Sequence, residues 1–270
     1  MSKGKVLIIG SNAMRIEVQG GGWVPTGQYL NETVVPAMAV IAAGYEVVLA
    51  TPTGDKPHID EASDVADHFG GDEAALQRAR DFFANNPSMN RVQTLRSVVD
   101  SGLDEYTGVF VPGGHAPVVD LIDNAETGEI LRHFHECGKP TALLCHGPVA
   151  VLAALPHAPE FKAAMVAGDT TKAAELAKGW QYAGYDMTIF SEAEERIAEE
   201  HMLKGKLHFY MPDALKAAGG RVTTGAVNFA ANVVEDRELI TGQNPSSDNP
   251  LAEKFVAALD RSLVRSRTAA

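Results

Sequence analysis

Thr141-Ala142-Leu143-Leu144-Cys145-His146-Gly147-Pro148 runs a short apolar segment into a cysteine and then into 149–155, an apolar stretch with the length and pattern of a helix. A buried strand followed at once by a helix is the repeating unit of an α/β fold. Gly147 permits a close turn, and Pro148 suits the first helical position, where its missing N–H leaves no bond unmade. The cysteine at that junction would project at the carboxyl end of the strand, where open α/β sheets carry their sites. A helix N-terminus behind it is expected to favour the thiolate.

Working outward, short runs rich in β-branched residues recur at 6–9, 46–50, 108–111, 187–190 and 221–224. They alternate with longer helical patterns, which predicts a parallel sheet sandwiched between helices. Residues 27–43 carry apolar side chains at Leu30, Val34, Val35, Met38, Ile41 and Ala42, a helical period closed by Gly44 and interrupted by Pro36. Residues 13–25 and 53–101 read as insertions, the second mostly helical at 72–83 and 91–99, forming a cap that narrows access to a site. Residues 233–242 read as a hairpin, and a helix over 249–263 closes the chain. No linker composition interrupts the sequence, so 1–270 is expected to be one domain.

The formal charge is −12, which argues against nucleic acid or an anionic membrane surface as partner. Only two cysteines occur, Cys137 and Cys145, too few for a disulfide framework, so a reducing compartment is expected. The apolar run after the basic start is too short for a signal peptide, and no stretch approaches the roughly 20 apolar residues of a membrane span. These features predict a cytoplasmic protein.

A free cysteine is most often a small buried hydrophobe. The second loop favours a reactive one: Val109-Phe110-Val111-Pro112-Gly113-Gly114-His115 runs a strand into paired glycines. Their amides, with that of His146, could form an oxyanion hole. Glu32, near the start of the first helix, is either solvated surface or a carboxylate within reach of the thiol. His146 could pair with Cys145 if a third group orients it, and Glu192, Glu194 and Glu195 are candidates. The remaining histidines, His133 and His135 among them, lack metal-site spacing. Leu143 replaces the first glycine of the G-x-S-x-G elbow, so the likeness to that motif is partial.

Taken together, Lys5–Gly10, Thr26-Gly27 with Glu32 and Pro36, Phe110-Val111-Pro112-Gly113-Gly114-His115, Leu144-Cys145-His146-Gly147-Pro148, Phe190 with Glu194-Glu195, and Leu239–Pro245 resemble the ThiJ/PfpI superfamily. The resemblance covers essentially the whole chain. It implies the flavodoxin-like, class I glutamine amidotransferase-like fold. The insertions and the segment 206–218 are similar to the branch of heat-inducible chaperones and glyoxalase III enzymes. By that resemblance Cys145 is the nucleophile, His146 its neighbour, Glu195 the residue orienting the histidine and Glu32 the carboxyl on the thiolate. Gly113, Gly114, His115 and Gly147 would line the oxyanion and substrate side, and a homodimer is implied. Members with a histidine just before the acid bind metal there; Thr26-Gly27-Gln28-Tyr29-Leu30-Asn31-Glu32 has none, so no metal site is expected.

The expected activity is cofactor-independent conversion of methylglyoxal or a related 2-oxoaldehyde to the 2-hydroxy acid. A cysteine hydrolase acting on amides or peptides would use the same Cys145, His146 and Glu195. Isonitrile hydration is a further possibility within the superfamily. A holding chaperone or an oxidation sensor, with Cys145 as sulfinate, is the non-catalytic alternative.

Overall fold

The computed structural model describes residues 2–269. Its strands, in chain order, are β1 (Lys5–Ile9), β2 (Arg15–Val18), β3 (Gly22–Pro25), β4 (Glu46–Thr51), β5 (Gln93–Thr94), β6 (Tyr106–Val111), β7 (Thr141–Leu144), β8 (Asp186–Met187), β9 (Arg221–Val222), β10 (Val233–Asp236) and β11 (Leu239–Gly242). Seven of them form the central sheet in the order β10-β11-β7-β6-β1-β4-β5. Every pairing is parallel except β10 with β11. Val6 to Ile9 in β1, Val109 to Val111 in β6 and Ala142 to Leu144 in β7 are buried on both faces, which is why these strands read as unbroken apolar runs.

Helix α1 (Leu30–Ala42) carries the chain from β1 to β4 with Pro36 inside it. It packs beside the last helix, Asp248–Ala269, whose Phe255 ring lies 6.3 Å from Phe110 on β6. Helix α2 (Glu73–Asn85) starts where Asp72 accepts the N–H groups of Ala74 and Ala75. Leu76 and Ala79 of α2 close over Leu30 and Val34. Among the described residues no helix is long and apolar enough to cross a membrane.

Three expectations change. Residues 187–190 and 221–224 do not join the main sheet: among the described residues β8 and β9 pair only with each other, because β11 already occupies the open side of β7. Thr188 instead hangs from the β11 side chain of Thr241, its N–H donating to Oγ1 at 2.9 Å. Helical periodicity over 91–99 overstated the helix: Gln93 and Thr94 are β5, at the sheet edge, and the Thr94 hydroxyl caps a helix that begins at Leu95. The insertion at 13–25 is a β-hairpin, β2 with β3. Within 53–101, α2 lies along the flank of α1 rather than over the site, while Ala62 and His68 from the short turns before it reach the mouth of the pocket.

Candidate active site

Cys145 follows β7 with φ of 58°, a left-handed conformation that costs a non-glycine residue about 1–3 kcal/mol. The surroundings hold it there. Its N–H donates to the Gly242 carbonyl at 2.8 Å, and its carbonyl accepts the Phe190 N–H at 3.0 Å. The twist turns the side chain into the space between α1 and the loop after β6. That loop must come very close: a Cβ on Gly113 would stand 2.6 Å from the Cys145 Cβ and would collide with the Glu32 carboxyl.

Glu32, in the first turn of α1, is completely buried, and its Oε2 accepts the Gly113 N–H at 2.9 Å. Among the described residues Oε1 has no hydrogen-bond partner, and the carboxyl lies against the Cys145 thiol. Burial, reinforced by the charge of Asp248, pushes this carboxyl up to about 8. Burial and the neighbouring Glu32 push the thiol well above its usual range, against the Gly114 amide that faces the sulfur. Both effects oppose the thiolate that the position before a helix had suggested. The segment behind Cys145 is a run of 3-10 turns, Gly147–Ala154, and desolvation outweighs its weak field.

His146 Nδ1 is 3.4 Å from the Cys145 sulfur, and its Nε2 is 2.7 Å from Glu195 Oε2. The other Glu195 oxygen is 2.7 Å from His115 Nε2. Carboxylate acceptors fix the proton of His146 on Nε2, which leaves Nδ1 free to accept the thiol proton. Burial alone would raise the Glu195 carboxyl, but the two imidazoles hold it far below the usual range. Burial lowers His146, and so does His115. Burial also opposes the charge on His115, yet Glu195 outweighs it and raises that imidazole. These opposed shifts favour the charge on His115 over His146.

Each residue singled out in the sequence now has a place. Of the three acids only Glu195 reaches His146; Glu192 is partly buried and pairs with Arg196 at 2.6 Å. His115 faces Glu195 instead of an oxyanion position, its ring 4.2 Å from that of His146. The Gly113 amide is taken by Glu32 and is withdrawn from any oxyanion hole. Among the described residues no backbone carbonyl takes the amide of Gly114 or of His146. Gly147 packs under the loop after β6, where a Cβ would lie 3.0 Å from the Pro112 carbonyl.

These groups open into a cavity of about 250 Å³ whose wall is mainly apolar: Tyr29, Phe190, Ile197, Met202 and Phe229 stand around Cys145 and His146. His201 and Met202 belong to the π-helical turn Glu199–Leu203, which is tied down where Glu199 accepts the Leu207 N–H and the Tyr210 hydroxyl. Among the described residues two groups of ligand-type side chains are close enough together to hold a metal ion, His115 with His146 and Glu195, and Asp104 with His133 and Cys137. In the first, both carboxylate oxygens are already bonded to the imidazoles; in the second, the Lys139 ammonium stands 3.5 Å from His133 Nε2.

The family model of the DJ-1/PfpI family matches residues 26–258, from the turn before α1 into the last helix. The chain belongs to that family. It is similar to the Protein/nucleic acid deglycase HchA of Escherichia coli (strain K12 / DH10B), 26% identical over 272 residues that cover 95% of this chain and 82% of the relative. The HchA protein of Pseudomonas aeruginosa (strain UCBPP-PA14) is 25% identical over 267 residues, 97% of this chain and 82% of the relative. Among solved structures, glyoxalase III from Candida albicans superposes with a TM-score of 0.71 at 21% identity, over 95% of this chain and 97% of that one. Rapid Encystment Protein 24 KDa of Francisella tularensis gives a TM-score of 0.73 at 21% identity, over 96% and 99%. These last two establish the α/β fold as that of DJ-1/PfpI structures.

Sequence reasoning missed two parts of the site. One is the second imidazole on Glu195; the only available signal was that His115 directly follows the paired glycines. The other is Glu194, fully buried, which accepts from Ser191, Gln243, Asn244 and the Phe229 N–H. The Ser191–Glu194 capping box was readable as S-x-x-E, but its long-range partners were not.

Proposed function

We propose that this DJ-1/PfpI member converts 2-oxoaldehydes to 2-hydroxy acids by thiol addition at Cys145, without glutathione. The observation that carries the reading is the fully buried Glu32 carboxyl set against Cys145, whose sulfur lies 3.4 Å from His146 Nδ1; burial pushes that carboxyl up to about 8. The HchA relatives, named deglycases, support chemistry at a carbonyl-derived carbon.

The residues permit a balanced sequence. As the sulfur bonds to the aldehyde carbon, the thiol proton passes to His146 Nδ1 and the Glu32 proton to the carbonyl oxygen. Glu32, now a carboxylate of high basicity, removes the hydrogen on that carbon, and His146 returns its proton to the neighbouring ketone oxygen to give an enediol. Glu32 delivers its proton to the former ketone carbon and recovers one from the hydroxyl on the sulfur-bearing carbon, leaving a thioester. Water cleaves the thioester, and the thiol is restored. One carbon is oxidised and its neighbour reduced, so the reaction needs no external electron acceptor. The Gly114 and His146 amides would steady the oxygen charge, worth roughly 3–4 kcal/mol for a good donor.

The test is lactate formation from methylglyoxal by the purified protein without glutathione, beside Cys145→Ser and Glu32→Gln. Lactate from the wild type, lost in both variants, is expected; a wild type that forms none sinks the reading. A second reading, acyl transfer by a cysteine hydrolase, is favoured by the Cys145–His146–Glu195 alignment. It predicts cleavage of amide or peptide reporters in place of lactate.

A further inference from the structure

Phe229 is a large apolar side chain left 42% exposed, on a backbone with φ of 60°. Both features work against stability, since a glycine would remove the strain and an inward ring would remove the exposure. Yet the position is held firmly. The Phe229 N–H donates at 2.6 Å to Oε1 of Glu194, a carboxylate with no exposure whose oxygens also take Ser191 Oγ at 2.7 Å, Asn244 Nδ2 at 2.8 Å and Gln243 Nε2 at 2.9 Å. Burying a carboxylate is costly unless its lone pairs are filled, and here one of the bonds that fill them fixes the loop bearing Phe229.

The ring so placed continues a line of rings outward from the reacting centre. His115 and His146 are 4.2 Å apart, His146 and Phe190 4.6 Å, Phe190 and Phe229 6.1 Å. All four line the cavity beside Cys145. A three-carbon aldehyde bound covalently at the sulfur would leave the outer part of a cavity of about 250 Å³ empty. Among the described residues lining it there is no lysine or arginine to receive a carboxylate or phosphate on the substrate.

We infer that Phe229 grips a flat apolar substituent, and that the preferred substrates are 2-oxoaldehydes carrying an aryl group rather than a methyl group. The inference rests on the proposed aldehyde chemistry for its turnover but not for its binding. An aryl group attached to the ketone carbon would lie against the Phe190 and Phe229 rings, in the part of the cavity that Ile197 and Met202 also line.

The experiment compares wild type, Phe229→Gly and Phe229→Leu on phenylglyoxal and methylglyoxal, with binding of 2-hydroxyacetophenone, an aryl surrogate without the aldehyde, measured by calorimetry. Glycine accepts the positive φ, so Phe229→Gly should fold and melt like the wild type. The expected result is a wild type that prefers phenylglyoxal at least about tenfold in kcat/KM. In Phe229→Gly that preference falls about five- to tenfold through KM, and the surrogate binds about as much more weakly, in line with the loss of one aromatic contact. Phe229→Leu should fall between the two. A preference and surrogate affinity unchanged in Phe229→Gly overturn the inference. If neither aldehyde is turned over, the aldehyde chemistry fails by itself, and binding of the surrogate still decides the role of Phe229.

Discussion

Replacing Glu195 by glutamine keeps the size of the side chain and removes the charge held between two imidazoles. His146 must become an imidazolium when it takes the thiol proton, and the carboxylate whose Oε2 lies 2.7 Å from its Nε2 stabilises that cation. At about 4 Å between charge centres and an effective dielectric near 20, the interaction is worth about 4 kcal/mol. At about 1.4 kcal/mol per tenfold in rate, its loss lowers kcat/KM roughly a thousandfold. A glutamine also has only one acceptor oxygen where two imidazole N–H groups now point, so His115 or His146 must change tautomer or lose its partner. The assay is turnover of methylglyoxal, with circular dichroism melting to verify folding. Activity within about fivefold of the wild type in a folded Glu195→Gln protein would refute the argument, because it would mean that the reaction passes no proton through His146.

Glu32→Gln should change the pH dependence of stability. The folded-state value of about 8 lies above the ordinary 4.5, so Glu32 favours the folded protein fully below 4.5 and this contribution is lost as pH rises to about 8. The gap corresponds to roughly 5 kcal/mol at most. The wild-type melting temperature should therefore fall across that window more steeply than that of Glu32→Gln, and parallel curves would count against a proton on Glu32. The raised Cys145 thiol makes a separate prediction. In a Cys137→Ser background, alkylation by iodoacetamide should be slow at neutral pH and accelerate only above the ordinary thiol range, whereas full reactivity at neutral pH would show a resting thiolate.

Much of the site was legible because its parts are local. A strand ending in Cys145-His146-Gly147-Pro148 and a strand ending in Gly113-Gly114 must bring a thiol and free amides to the same edge of a parallel sheet. Glu32 was legible through the position of α1 beside β1. Less legible were 187–190 and 221–224, whose composition suits strands but whose place in the sheet is taken by β11. Strand propensity states that a segment can pair, not with what, and the competition is settled by packing.

The sequence by itself determined the alternation of strands and helices, the turn that carries Cys145 and the identity of the acids and imidazoles available, since each follows from residues within a few positions of one another. The tertiary structure alone decided protonation and division of labour. Burial raised both the Glu32 carboxyl and the thiol where a helix dipole had suggested a thiolate, because desolvation depends on every element packed around a group. Contacts across 80 and 35 positions gave Glu195 its second imidazole and Glu194 its hold on Phe229, and no periodicity in one dimension records such distances.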